Sequence, residues 1–303
     1  MSTFVALKSA GMGNRFKIYV SYMARYDTVK IEKPTDIHLF ENFELCDRDE
    51  DIKIYPHTGS GWRLLVDDDE VKYIDKYKTI DQLYNDTPQY FIDKYVPIFQ
   101  SLKIKSNVKS IIDNFTKDWD KNNMVGLHIR TSLPPLDSGR NMPWIDFEGF
   151  EREILKYPST QKFFLASDNI DVTNYYTNKY PNQIIVYPKN DIVRNDAHFD
   201  DLQQTIDGFV EMYLLSQCFK KLIVTFSSTY SECAWWFGGC KAEVFMPTFW
   251  DKVPEDFFNA VYNKKDSCYT LGGVSVAAEG CRTYAPTNVG DNYKIKNWKV
   301  IYE

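Results

Sequence analysis

Short apolar runs that end abruptly in polar groups recur through the second half of the chain. They alternate with longer stretches in which apolar positions return every three or four residues. The first pattern suits a buried strand and the second an amphipathic helix. Strands are predicted at 125–129, 163–166, 184–186, 222–225 and 244–246, and helices at 147–155, 172–179, 202–218 and 231–236. Such a rhythm predicts a parallel sheet with helices on both faces. The first half is less regular. A strand-like run from Thr3 to Leu7 leads into Gly11-Met12-Gly13-Asn14-Arg15 and then a helical stretch from Phe16 to Tyr26. Residues 27–69 alternate short strand-like pieces with polar turns, and helical spacing returns between Thr87 and Trp119. The charged connector 117–123 marks the expected boundary between two domains, 1–122 and 123–303.

Composition supports that division and narrows the partners. A chain of 303 residues exceeds the usual single-domain size, and a cleft between two domains is a common ligand site. A hydrophobic fraction of 44% and an aromatic fraction of 16% are sufficient for substantial cores. The net charge of -6 argues against nucleic acid or an anionic membrane as partner. The six cysteines form no C-x-x-C pair, so a structural zinc is not expected. No run approaches the ~20 apolar residues of a membrane span, and the expectation is a soluble cytoplasmic protein.

Open α/β sheets bind ligands beyond the carboxyl ends of their strands. Arg130 follows the strand at 125–129, and Ser227 and Ser228 follow the strand at 222–225, so these groups are candidates for one anion site. A guanidinium offers a planar fork of donors and serine hydroxyls can add to it, which suits a phosphate or diphosphate. Gly11 and Gly13 precede a helix whose first N–H groups could also hold an anion, although a tight turn alone accounts for them. Asp67-Asp68-Asp69-Glu70 reads as a solvated acidic turn, with a metal site as the alternative.

Taken in order, these motifs resemble a known group. His128-Ile129-Arg130, then Ala166-Ser167-Asp168, then a helix carrying Asp207 to Gln217, then Thr225-Phe226-Ser227-Ser228 resemble the inverting fucosyltransferase clan. Within it the α1,6-fucosyltransferase and NodZ group is the most similar, and the protein O- and α1,2-fucosyltransferases are related to it. The glycine segment at Gly11–Arg15 resembles that clan's N-terminal loop. The resemblance implies a GT-B fold: α/β, with two Rossmann-like domains facing across a cleft, the acceptor mainly on the N-terminal one and the nucleotide sugar mainly on the C-terminal one. It implies GDP-fucose as co-substrate, a saccharide or glycoconjugate acceptor, and neither metal nor other cofactor. On this resemblance Arg130 holds the donor diphosphate with His128 beside it. Asp168, Glu211, Ser227 and Ser228 contact the donor, Glu211 standing where an aspartate usually faces the base. Gly11, Gly13, Asn14 and Arg15 line its N-terminal side.

Each position has a plainer alternative. His128 can be a hydrogen-bonded core histidine, Asp168 the cap of the helix near Val172, and Glu211 an exposed helix residue. Trp235 and Trp236 can stack on a sugar or pack in the core. The chain also departs from the pattern: Thr131 follows Arg130 where a second arginine is frequent, which keeps a UDP- or other GDP-linked sugar open, as well as a silent carbohydrate- or nucleotide-binding protein. Inverting transfer needs a general base for the acceptor hydroxyl. Asp137 is the first choice, with Asp146 and Glu148 behind it, and Asp137 is also a plausible turn-former ahead of Ser138-Gly139.

Overall fold

The computed structural model describes residues 3–6, 11–26, 28–31, 34–45, 64, 70–73, 84–131, 145–189, 201–226 and 228–252. The N-terminal part contains β1 (Thr3–Ala6), α1 (Met12–Met23), β2 (Thr28–Ile31) and β3 (Glu44–Leu45). These strands form a parallel sheet in the order β1-β2-β3. Next come α2 (Gln89–Ser101) and α3 (Ser106–Thr116). Among the described residues the second part alternates strand and helix: β4 (Val125–Ile129), α4 (Phe147–Ile154), β5 (Phe163–Ser167), α5 (Ile170–Lys179), β6 (Ile184–Val186), α6 (Leu202–Ser216), β7 (Lys221–Val224), α7 (Thr229–Phe237) and β8 (Glu243–Phe245). Its five strands are all parallel in the order β6-β5-β4-β7-β8. This is the α/β architecture with two parallel sheets expected of a GT-B chain. The strands β4 and β5 are buried at every position, as continuous apolar runs covered on both faces should be.

The helical stretch between Thr87 and Trp119 is two helices. Leu102 leaves the helical region with ψ 108, and the break is then used. Phe40 bridges Ile104, the Glu41 N–H donates to the Lys103 carbonyl at 2.7 Å and the Lys105 N–H to the Leu39 carbonyl at 3.0 Å. Although α2 and α3 precede the expected boundary, they pack against α7 and α6 of the larger sheet. The main core therefore runs through both parts. Phe16 of α1 lies in edge-on contact with Phe40, Phe209 and Phe237, at centroid distances of 5.6, 5.7 and 6.0 Å. Such geometries add about 0.5–1.5 kcal/mol each beyond area burial. A second cluster under β4, β5 and α5 includes Leu127, Phe150, Phe163 and Val172. Among the described residues no helix is long and apolar enough to cross a membrane.

Candidate functional site

The strands β4, β5 and β7 lie side by side, so their carboxyl ends share one rim. At that rim Thr225 ties two strand ends together. Its hydroxyl donates to the His128 carbonyl at 3.1 Å and accepts from the Arg130 N–H at 2.9 Å. Arg130 is thereby fixed just past the last residue of β4. Its Nε lies 3.8 Å from Asp168 Oδ2, and the two side chains remain 19% and 15% exposed. Asp168 also accepts from the Thr131 N–H at 2.7 Å. The cap of α5 is Asn169, whose side chain accepts from the Asp171 N–H, so Asp168 is not spent on capping.

Behind Arg130 lies a buried polar cluster. The His128 ring stacks on Tyr230 with centroids 5.0 Å apart. Burial, with the charges of Arg130 and Lys189, lowers its pKa from 6.5 to about 3, so the imidazole is neutral throughout the physiological range. His128 Nδ1 finds no hydrogen-bond partner among the described residues. The Glu211 carboxylate is buried and gripped by Lys189, whose Nζ donates to both oxygens at 2.7 and 2.8 Å and to the Ser167 carbonyl at 2.7 Å. Burial pushes the Glu211 carboxyl above its ordinary value, Lys189 opposes that push, and Asp168 adds to it. A ligand at this end of the rim therefore meets a lysine–carboxylate pair. Glu211 is neither an exposed helix residue nor an isolated acid.

Tyr230 belongs to the first turn of α7, where two helix N-termini meet. A Cβ placed on Gly13 would sit 2.5 Å from the Thr229 carbonyl oxygen and 2.8 Å from Tyr230 N, so only glycine allows the first turns of α1 and α7 to touch. Cys233 donates from its thiol to the Gly13 carbonyl at 3.1 Å. Lys17 and Glu232, both almost fully buried, form an ion pair of 2.8 Å that joins the same two helices. Gly11 has no side chain with which to cap α1, and the Ser228 side chain makes no capping hydrogen bond to α7. Two oxygens buried there, Ser228 Oγ and Asn14 Oδ1, find no hydrogen-bond partner among the described residues. Two positive dipole ends side by side, with buried polar groups in reserve, make a setting for an anion.

Arg15 is a correction. It was expected to face the donor, yet it is fully buried. Its Nε and Nη2 each bond Asp36 at 2.7 Å, and the Tyr19 hydroxyl donates to the same carboxylate at 2.7 Å. The reason is helical phase: α1 begins at Met12, not Phe16, which puts Arg15 four residues from Tyr19 on the core face. Glu70 is a second correction, because it is buried and bonded by Tyr90 and Lys94 instead of solvated. Among the described residues no cluster of His, Cys, Asp and Glu is placed to hold a metal. Trp235 and Trp236 pack in the core. Asp146, the reserve base, caps α4 by accepting from the Gly149 N–H at 3.0 Å and pairs with Arg152. Glu148 also pairs with Arg152 and is 61% exposed. Asp137, Ser227 and the acidic positions Asp67 to Asp69 lie outside the described residues. Lys189 and Tyr230 are site residues outside the motifs, and Thr225 opens one of them without a role of its own assigned to it. Lys189 stands three residues past β6, as legible by the strand-end rule as Asp168.

No family model matches the chain, and no curated protein matches it in sequence. Solved structures do. The NodZ α1,6-fucosyltransferase soaked with GDP-fucose is 17% identical, with 78% of this chain and 92% of that one covered and a TM-score of 0.47; NodZ has been solved from Bradyrhizobium. An arginine-to-lysine mutant of Arabidopsis thaliana FUT1 in complex with GDP is 13% identical, covering 84% and 73%, with a TM-score of 0.48. POFUT1 in complex with GDP is 12% identical, covering 81% and 98%, with a TM-score of 0.42. These neighbours are fucosyltransferases, the clan whose motif order the sequence resembles.

Proposed function

We propose that the protein is an inverting glycosyltransferase that moves L-fucose from GDP-fucose to a hydroxyl of a saccharide or glycoconjugate, without a metal. The observation that carries this reading is the placement of Arg130 on the same rim as the paired N-termini of α1 and α7. Fixed cationic groups aimed at one spot stabilise the charge that develops on a departing diphosphate. A guanidinium and two helix ends supply that charge from the protein itself. The choice of GDP-fucose rests on the resemblance of the motifs to the fucosyltransferase clan.

The chemistry follows from these roles. The acceptor oxygen attacks the anomeric carbon on the face opposite the phosphate, and a new carbon–oxygen bond forms as the bond to the β-phosphate oxygen breaks. The electron pair leaves with GDP, toward Arg130, the Ser228 hydroxyl and the N–H groups of the two first turns. The acceptor proton passes to a general base, which we assign to Asp137. Asp146, which caps a helix and pairs with Arg152, is poorly suited to that task. Lys189 and Glu211 hold the nucleoside end, and the acceptor approaches from the side of residues 1–122. The test is proton NMR of GDP-fucose turnover with saccharide acceptors and EDTA present. Product of inverted anomeric configuration is expected. Binding of GDP-fucose without transfer or hydrolysis points instead to the silent binding protein, and turnover of a UDP-sugar in its place changes the donor.

A further inference from the structure

The rim continues beyond Ser228 to β8, where it changes character from charged to aromatic. Phe226 lies in the connection between β7 and α7 and is 4% exposed, whereas Trp250, five residues past β8, is 46% exposed. The two rings meet edge to face at a centroid distance of 5.2 Å and an angle of 69°, so the buried Phe226 braces the indole. The segment that carries Trp250 is pinned at its base. Thr248 bridges Ile145, and the Asp146 N–H donates to the Pro247 carbonyl at 3.1 Å. A large exposed aromatic held on a fixed segment at a ligand-binding rim is a different object from a stray surface ring.

We propose that Trp250, braced by Phe226, is the platform for the apolar face of the sugar ring carried by the donor. This rests on the preceding reading of the site as one for a nucleotide sugar. The order of groups along the rim sets the direction. Lys189 follows β6 and reaches across to the Ser167 carbonyl at the end of β5, Asp168 follows β5, Arg130 β4, Ser228 β7 and Trp250 β8, while Glu211, on α6, joins Lys189 to Tyr230 in the first turn of α7. With the diphosphate at Arg130 and Ser228, the hydrogen-bonding nucleoside falls to the polar end and the sugar to the aromatic end. Three strand spacings separate the end of β5, where the Lys189 ammonium sits, from β8, about 14 Å, the scale of a nucleotide sugar. A 6-deoxy sugar presents ring C–H groups and a methyl group, which an indole face holds by burial and by its negative quadrupole.

The experiment compares GDP with GDP-fucose, without acceptor, by calorimetric titration of the wild type, Trp250→Phe and Trp250→Ala. Trp250→Ala is expected to weaken GDP-fucose about five- to tenfold, Trp250→Phe clearly less, and GDP in neither variant. The unchanged GDP affinity also reports that the variants are folded. Equal weakening of GDP and GDP-fucose would place the base on the indole, and no change in either would leave Trp250 outside the site; both overturn the proposal. A wild type that binds neither ligand would remove the donor reading itself.

Discussion

Two arginines are expected at the donor from sequence, Arg130 on its diphosphate and Arg15 along its N-terminal side, and the structure separates them. Arg15 has no exposure and makes two 2.7 Å bonds to Asp36, which also accepts from Tyr19. Its fork is closed by the protein. Arg130 stands 3.8 Å from Asp168 across a partly open rim, and its backbone, not its side chain, is what Thr225 clamps. A guanidinium sealed in a fully buried pair holds the fold, whereas a partly buried one just past a strand end, 3.8 Å from its carboxylate neighbour, stands where open α/β sheets take ligands.

That contrast can be broken from either side. Arg15→Met leaves Asp36 buried without its cation and is expected to cost about 3–5 kcal/mol of stability, read by urea unfolding. The double change Arg15→Met with Asp36→Leu should recover most of the loss, and failure to do so would show that the pair is not the reason Arg15 is buried. Arg130→Ala is expected to lower kcat/KM about 10²–10³-fold, while the unfolding midpoint stays nearly unchanged. A large stability loss with residual full turnover would reverse the two roles.

The pH response sharpens the picture further. Because the folded state holds His128 at about 3, against 6.5 when unfolded, the unfolded chain binds the extra proton between those values. Stability from this group is intact above pH 6.5 and is lost as the pH falls toward 3, by at most about 1.4 kcal/mol per pH unit. His128→Gln should flatten that part of the profile in unfolding measurements. The smallest effect is expected from Thr225→Val, which removes the hydroxyl between His128 and Arg130. It should cost about 1 kcal/mol of stability and lower kcat severalfold with little change in KM.

Much of the larger sheet was legible because each strand is an apolar run bounded by polar groups, and all five have their counterparts in β4 to β8. The first sheet was harder. A two-residue strand such as β3 is too short to show periodicity. In the site, Arg130, Asp168 and Ser228 were legible by their position after strands. Arg15 was misplaced because glycine, asparagine and arginine in succession read alike whether the helix begins before or after them, and a shift of four residues decides whether the guanidinium faces the core. Lys189 and Trp250 follow β6 and β8 as Asp168 follows β5, but they belong to no motif with its own chemistry. The roles proposed for them rest on what the fold sets beside them, Glu211 and Phe226.

The central claim is that Arg130 grips a nucleoside diphosphate at the rim of the larger sheet. Calorimetric titration of GDP into the wild type and Arg130→Ala tests it most directly. The account predicts saturable one-to-one binding to the wild type and a loss of about 2–3 kcal/mol, some thirty- to hundredfold or more in Kd, in the variant. Equal affinity for GDP in both proteins would contradict it.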